Sequence, residues 1–458
     1  MSDLNVLLVS YSFPPAGGTG VMRAASLARH LPGEGIRLDV LTTRNASAVG
    51  TDSSLLKEIP TEVRIHRTVT LDLPFGVKKR IKKLLMGNKP ASAAAPASAN
   101  QPGKPGIAKR VIGNILVPDP QVTWFPVLSR AAARIVKERK IDLVLITAPP
   151  FSTLLLVESL RKKFPDLPIV LDFRDEWLTT AFELVSFLFS RSDHARNTAA
   201  RIEAGAVMNA TAVVAVTEAA RRKIHSRYTN LPDNKFHLIP NGYDASKLVR
   251  GESAPRPGDR IVVTHVGTIY TSTEPTALVD AVQSLPPEVR SRFLFRFIGH
   301  IEEPRFRDAI LSLGDAVELK GYLPQREALA LMNETDYVLL INHDPLNVGG
   351  KFYDYVGGVK PILGAVHPEG ETRRLFDELR AGWWAPVDDV DGIRKLFLDA
   401  ANRGKAPIAD FKPDTAKIAQ YERKALAERY AALLHAVAGA GGQRNSAEAE
   451  SPARGERA

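Results

Sequence analysis

A Gly-Gly turn opens onto a cation and a carboxylate in Asn347-Val348-Gly349-Gly350-Lys351-Phe352-Tyr353-Asp354-Tyr355-Val356, the most specific stretch of this sequence. The pattern reads as a helix whose first residue is cationic and whose fourth is acidic. The free N–H groups of such a helix start, together with Lys351, can hold a diphosphate, and Asp354 can accept hydrogen bonds from two vicinal hydroxyls of the kind ribose supplies. A capping arrangement beside a packed Tyr pair is the competing interpretation.

Further candidates follow short apolar runs. In Phe13-Pro14-Pro15-Ala16-Gly17-Gly18-Thr19-Gly20 the glycines either let the backbone approach an anion at the start of the next helix, with Thr19 beside it, or serve close strand-helix packing. The spacing is neither the dinucleotide G-x-G-x-x-G nor a G-K-[ST] loop, which disfavours NAD and kinase-type ATP binding. Leu171-Asp172-Phe173-Arg174-Asp175-Glu176-Trp177 sets four ionisable groups within five residues. Buried charges are costly unless paired, so Arg174 either clamps Asp172 or Asp175, or the segment is a polar rim facing substrate, with Asp172, Arg174 and Asp175 as its catalytic candidates. Thr264-His265-Val266-Gly267-Thr268-Ile269-Tyr270, Phe297-Ile298-Gly299-His300 and Gly321-Tyr322-Leu323-Pro324 set glycine at three strand ends. Exposed backbone there, with Gly267, Thr268, Tyr270, Gly299 and Tyr322, suits the edge of a flat heterocycle such as a nucleobase. His265 and His300 are better explained by packing or hydrogen bonding than by catalysis.

The elements that must position these residues alternate. Strands are expected near Val6–Val9, Arg37–Leu41, Leu143–Thr147, Ile169–Asp172 and Ala212–Val216, with helices from Val21 and near Ser129–Lys140, Ser152–Lys163 and Arg196–Met208. A second series follows the polar Pro/Gly segment Gly251 to Gly258. It has strands near Ile261–Val266, Phe293–Ile298, Tyr337–Ile341 and Pro361–Leu363, and helices near Thr276–Ser284, Pro304–Leu313, Gln325–Met332 and Thr372–Leu379. Such alternation builds parallel sheets covered on both faces, so two doubly wound α/β domains are expected, over residues 1–250 and 251–412. A closing helix, Asp414 to Ala436, and a disordered tail from about Gly439 complete the reading (413–438 and 439–458).

With 458 residues, 44% hydrophobic and 24% charged, the chain has the composition of an ordinary globular protein, neither disordered nor fibrous. No apolar run approaches the ~18 residues needed to span a bilayer, and Met1 to Ser10 lacks the basic start of a signal peptide, so a cytoplasmic location is expected. Cysteine is absent, which excludes disulfides, thiolate zinc sites and a cysteine nucleophile. The net charge of +10 is concentrated: from Leu73 to Pro118 there are nine Lys or Arg and no Asp or Glu. Within it Val77, Ile81, Leu84 and Leu85 share a helical face opposite Lys78, Lys79, Arg80, Lys82 and Lys83, the pattern of an interfacial helix docking on an anionic membrane. A solvated charge run, with the apolar face packed on its own domain, is the alternative. Asn88 to Gly106 is too poor in large apolar groups to order and is expected to be a mobile loop. Nucleic acid ranks last as a partner, because the basic stretch lacks interleaved aromatics.

Taken together, Lys351-Phe352-Tyr353-Asp354-Tyr355 with Lys360-Pro361-Ile362-Leu363 resembles the Lys-x-x-Glu-Tyr…Lys-Pro-Ile-Leu segment of family-4 retaining glycosyltransferases. Phe13-Pro14-Pro15 with its Gly loop, Asp172 to Trp177, Ile239-Pro240-Asn241-Gly242-Tyr243-Asp244 and Gly321-Tyr322-Leu323-Pro324 match in the same order, covering about residues 4 to 400. The resemblance implies a GT-B fold, two Rossmann-like domains facing across a cleft. It also implies a nucleotide-diphosphate sugar held mainly by the C-terminal domain, an acceptor held by the N-terminal one, retention of configuration, and no metal or cofactor. Gly17 and Gly18 would lie near the donor diphosphate and sugar, Lys351 would support the phosphates, Asp354 would take the ribose, Gly350 would start that helix, and Asn241 to Asp244 would form the hinge.

Three departures stand out. The first acid of the family's Glu-x7-Glu falls at Leu346. The cation expected after Gly-Thr-x-Tyr is missing from Thr271-Ser272-Thr273-Glu274-Pro275, and the family's N-terminal His-Asp pair is replaced by Asp172 to Asp175. The expected activity is glycosyl transfer to a lipid-linked or polysaccharide acceptor in exopolysaccharide or cell-envelope synthesis, by an enzyme peripheral on the inner face of the plasma membrane. A nucleotide-sugar epimerase or hydrolase of the same fold, and a degenerate donor-binding protein, are the alternatives.

Overall fold

Runs in which every residue is buried, such as Leu143–Ala148 and Tyr337–Asn342, form the central strands of two sheets. Such continuous burial is what a parallel sheet covered on both faces demands. The computed structural model describes residues 4–46, 51–70, 117–181, 193–248, 258–405 and 408–449. The strands are β1 (Leu4–Val9), β2 (Ile36–Thr43), β3 (Arg64–Thr68), β4 (Leu143–Ala148), β5 (Ile169–Phe173), β6 (Ala212–Ala215), β7 (Phe236–Leu238), β8 (Ile261–Val266), β9 (Phe293–Ile298), β10 (Val317–Gly321), β11 (Tyr337–Asn342), β12 (Ile362–Val366) and β13 (Gly382–Pro386). One sheet has the order β3-β2-β1-β4-β5-β6-β7, the other β10-β9-β8-β11-β12-β13. Strand order therefore reverses at β1/β4 and at β8/β11, and in open α/β sheets ligands gather outside the carboxyl ends at such points.

The chain divides into two compact units. The first comprises Met1–Ala215, Ile224–His237 and Ala427–Ala458, the second Val216–Lys223 and Leu238–Leu426. Final passage into the second unit thus falls at 237–238, where the sequence reading had placed a boundary at 250–251. A polar Pro/Gly segment marks a surface connection whether or not it joins domains. Residues 249–257 lie outside the described residues, as do 71–116, which hold the basic run and the expected loop after it. The single closing helix is instead two, Thr415–Ala419 and Arg423–Ala449, the second running past Gly439. Among the described residues no helix is long and apolar enough to cross a membrane.

Packing in the second unit shows why it is doubly wound. Phe293, Phe295, Leu339, Ile341, Leu363 and Ala365 face one core with helix Val390–Arg403. Val338, Leu340, Ile362 and Val366, one residue out of phase, face another with Phe352, Tyr355 and Phe376. Gly364 admits the Phe376 ring, since a Cβ there would stand 2.5 Å from its Cζ.

Candidate functional site

At the carboxyl end of β8 the chain turns at Gly267, whose φ of +151° only glycine adopts without strain. Gly299 follows β9 with φ +137°, and a Cβ there would stand 2.0 Å from the Gly267 carbonyl oxygen. Two glycine strand ends therefore touch through their backbones, and the Gly299 N–H donates to the carbonyl of Gly321, the last residue of β10, at 2.7 Å. His300 and Tyr322 stack beside them, ring centroids 5.3 Å apart, with Tyr322 64% exposed. The three-glycine edge expected from sequence is thus one continuous surface. Thr268 lends its carbonyl to the Thr273 hydroxyl, Tyr270 is exposed, and residues 271–273 form a tight turn.

Helix Gly350–Gly357 starts next to this edge. Tyr355 fixes its place: the phenol oxygen accepts from the Val266 N–H at 2.9 Å, and burial pushes its pKa well up, so it stays protonated. A Cβ on Gly267 would lie 3.9 Å from Lys351 Cγ, which sets the Lys351 stem against the β8 turn. Lys351 Nζ donates to Asp354 at 3.1 Å, and Asp354 is only 6% exposed. Tyr353 and Tyr355 are packed, as the competing interpretation expected, and their packing positions the cation and the carboxylate.

In the loop before that helix Leu346 is held through its backbone. Asp344 accepts from the Leu346 and Asn347 N–H groups and from the Asn347 amide, at 2.8 to 3.1 Å, so its carboxylate is consumed by its own turn. The Leu346 carbonyl accepts from the Thr217 hydroxyl at 2.6 Å. Behind the helix, Tyr243 exchanges backbone hydrogen bonds with Tyr421 and Arg423, and Gly357 lies so close that a Cβ would stand 2.3 Å from the Tyr243 ring. Gly242 and Tyr243 therefore brace helix Gly350–Gly357 and the segment that leads out of the second unit.

In the first unit the Gly loop leads into helix Thr19–His30. Gly18 has φ +98° and open space around it, and Gly17 is partly exposed. Arg174 donates to the carbonyls of Gly20 and Pro149, joining the start of helix Thr19–His30 to the turn after β4 at the reversal point. Burial lowers its pKa, with Asp175 opposing. Asp172 is neither an Arg174 clamp nor an open rim. It is fully buried, paired with Arg23 at 2.9 Å and accepting from the Tyr430 hydroxyl at 2.7 Å. Burial works against the Arg23 charge, but Asp172 outweighs it and the guanidinium pKa rises. Glu176 is also sealed: Arg227 bridges it to Glu203, each at 2.8 Å, and Trp177 donates to Glu203 at 2.5 Å. Of the polar segment, only Arg174 and Asp175 retain partial exposure.

One group escaped the sequence reading. Asp119 accepts from the Ser152 N–H at 2.9 Å, after β4, while its other carboxylate oxygen has no hydrogen-bond partner; burial raises its pKa. Its signal was an acid between two prolines just before Trp124, which packs edge-on against Tyr11 after β1. His265 is buried with Nε2 unpartnered. Lys78, Lys79, Arg80, Lys82 and Lys83 lie outside the described residues. Among those described, no group of three or more His, Cys, Asp or Glu could hold a metal ion.

Residues 91–247 match the family model Glycosyltransferase Family 4. No curated protein matches the sequence. Among solved structures, sucrose-phosphate synthase from Thermosynechococcus elongatus is similar at 13% identity and TM-score 0.57, over 98% of this chain and all of that one. Anabaena HepE in complex with UDP and glucose gives 15% and 0.60, over 94% and 99%. A putative UDP-N-acetylglucosamine 2-epimerase from Listeria monocytogenes gives 12% and 0.52, over 94% and 96%. At these identities the likeness establishes the architecture, GT-B, and this architecture serves transferases and an epimerase alike.

Proposed function

We propose, for a GT-B chain that carries a Glycosyltransferase Family 4 segment, that the protein transfers a sugar from a nucleotide-diphosphate donor to a lipid-linked or polysaccharide acceptor with retained configuration. One observation carries the reading: the Lys351 stem, the start of helix Gly350–Gly357 and the bare Gly267 backbone converge at the β8/β11 reversal point. A diphosphate placed there meets a cation and a helix dipole, and Asp354 is within the same turn for ribose hydroxyls. With no cation in the 271–275 turn, Lys351 and the helix start carry the stabilisation of the departing nucleoside diphosphate. The leaving phosphate takes the acceptor proton, so no protein nucleophile is required. The acceptor belongs to the first unit, near Arg174, and the basic run at 78–83 brings the enzyme to an anionic membrane that carries the acceptor.

The test is turnover with a panel of UDP-, GDP-, ADP- and dTDP-sugars, with and without a membrane extract as acceptor, reading nucleoside diphosphate release and the anomeric configuration of the product by NMR. Acceptor-dependent release with retention is expected. Conversion of the donor sugar without acceptor would establish an epimerase instead. Selective binding without turnover would indicate a donor-binding protein, consistent with Leu346 in place of an acid.

A further inference from the structure

His265, in β8, is 4% exposed, and its Nδ1 lies 3.2 Å from the Leu339 carbonyl. A carbonyl only accepts, so Nδ1 carries the proton and Nε2 is left as a lone pair. Nε2 is buried without a hydrogen-bond partner. The ring stays neutral: burial, and secondarily the Lys351 charge, bring its pKa down to about 4.

Gly267 makes Nε2 approachable. A Cβ at that position would lie 3.5 Å from Nε2 and 3.9 Å from Lys351 Cγ, with nothing else within 4 Å beyond the chain neighbours. The missing side chain therefore leaves a gap with the imidazole lone pair on one side and the lysine stem on the other. Nζ lies three bonds beyond Cγ, so rotation of the end of the side chain can carry the ammonium from Asp354 to this gap. The roles assigned above make such a movement necessary. Lys351 and Asp354 bind each other at 3.1 Å, and while they do, neither is fully available to phosphate or ribose.

We infer that His265 is a positioning residue for Lys351. When a nucleoside diphosphate is bound, Nε2 accepts a hydrogen bond from the Lys351 ammonium, which turns the cation toward the phosphates and releases Asp354 to ligand hydroxyls. The inference rests on the donor-site reading. Its driving force is that a buried acceptor without a donor is unfavourable, and the new bond relieves this while the ion pair is given up.

Titration calorimetry of the full chain with UDP, GDP, ADP and dTDP, and with the matching nucleosides, tests it alongside His265→Phe and His265→Gln. Phenylalanine keeps the ring but has no acceptor; glutamine returns an oxygen near the place of Nε2. His265→Phe is expected to weaken the preferred diphosphate about tenfold, the size of a lost hydrogen bond to a charged group, without changing the nucleoside, and His265→Gln to restore most of the loss. In parallel, the histidine 15N spectrum of the unmodified protein reads the lone pair without any substitution. The Nε2 signal assigned by its absence from His265→Gln is expected to move from the bare-acceptor to the hydrogen-bonded position on diphosphate addition. An unchanged Nε2 signal, a Phe variant that binds as tightly as the parent, or equal loss of nucleoside and diphosphate would each overturn the inference while leaving the donor site standing. Failure of the unmodified protein to bind any diphosphate would remove both.

Discussion

Lys351 and Asp354 were legible at the residue scale because their relation is local, three positions apart on one helix. Asp172 was legible only as a group that needed a partner. The partners, Arg23 and Tyr430, lie 149 and 258 positions away, and no local pattern names them. His265 is similar: its sequence neighbours say strand, and only packing against Leu339 and Gly267 makes it a buried, neutral acceptor. That state has a measurable consequence. The folded pKa of about 4 lies below the ordinary value, so between the two the unfolded chain binds the extra proton. Stability from this group is complete above about pH 6.5 and is lost as pH falls toward 4, by about 3 kcal/mol in all. Urea unfolding of the second unit across this range should show the acid loss in the parent and a shallower one in His265→Gln; equal slopes would mean that His265 is solvated.

At the scale of elements, central strands were read from their apolar runs, and three of the four edge strands were not. β3 (Arg-Ile-His-Arg-Thr), β7 (Phe-His-Leu) and β13 (Gly-Trp-Trp-Ala-Pro) each end a sheet. Edge strands are short or polar, because exposed apolar edges invite aggregation, and so they lack the signal of buried ones. Helix Val390–Arg403 was missed although Asp389 caps it by accepting the Gly392 N–H, and Ile393, Leu396, Phe397, Ala400 and Ala401 repeat at helical spacing. The Arg23, Asp172 and Tyr430 cluster is the element-scale reinterpretation: it ties helix Thr19–His30, β5 and the C-terminal helix together. Asp172→Asn should leave Arg23 buried without its charge partner and cost about 3 to 5 kcal/mol, and Tyr430→Phe about 1 kcal/mol, both read from denaturant midpoints. An Asp172→Asn protein with an unchanged midpoint and lost turnover would restore the catalytic assignment.

For the whole molecule, two sheets of the same reversed order follow from two series of alternating strands and helices, and that much the sequence carried. The activity is less legible, because one fold supports more than one chemistry and the departures at Leu346 and at 271–275 from the resembled pattern leave the fold unchanged. The central claim is that the second unit holds a nucleoside diphosphate through Lys351 at the turn after β8. Calorimetric titration of the full chain with UDP, GDP, ADP and dTDP, beside Lys351→Ala, tests it most directly. One diphosphate should bind selectively to the parent, and the alanine variant, with the same unfolding midpoint, should bind it at least about tenfold more weakly. Binding of none of them, or equal binding by both proteins, would contradict the claim.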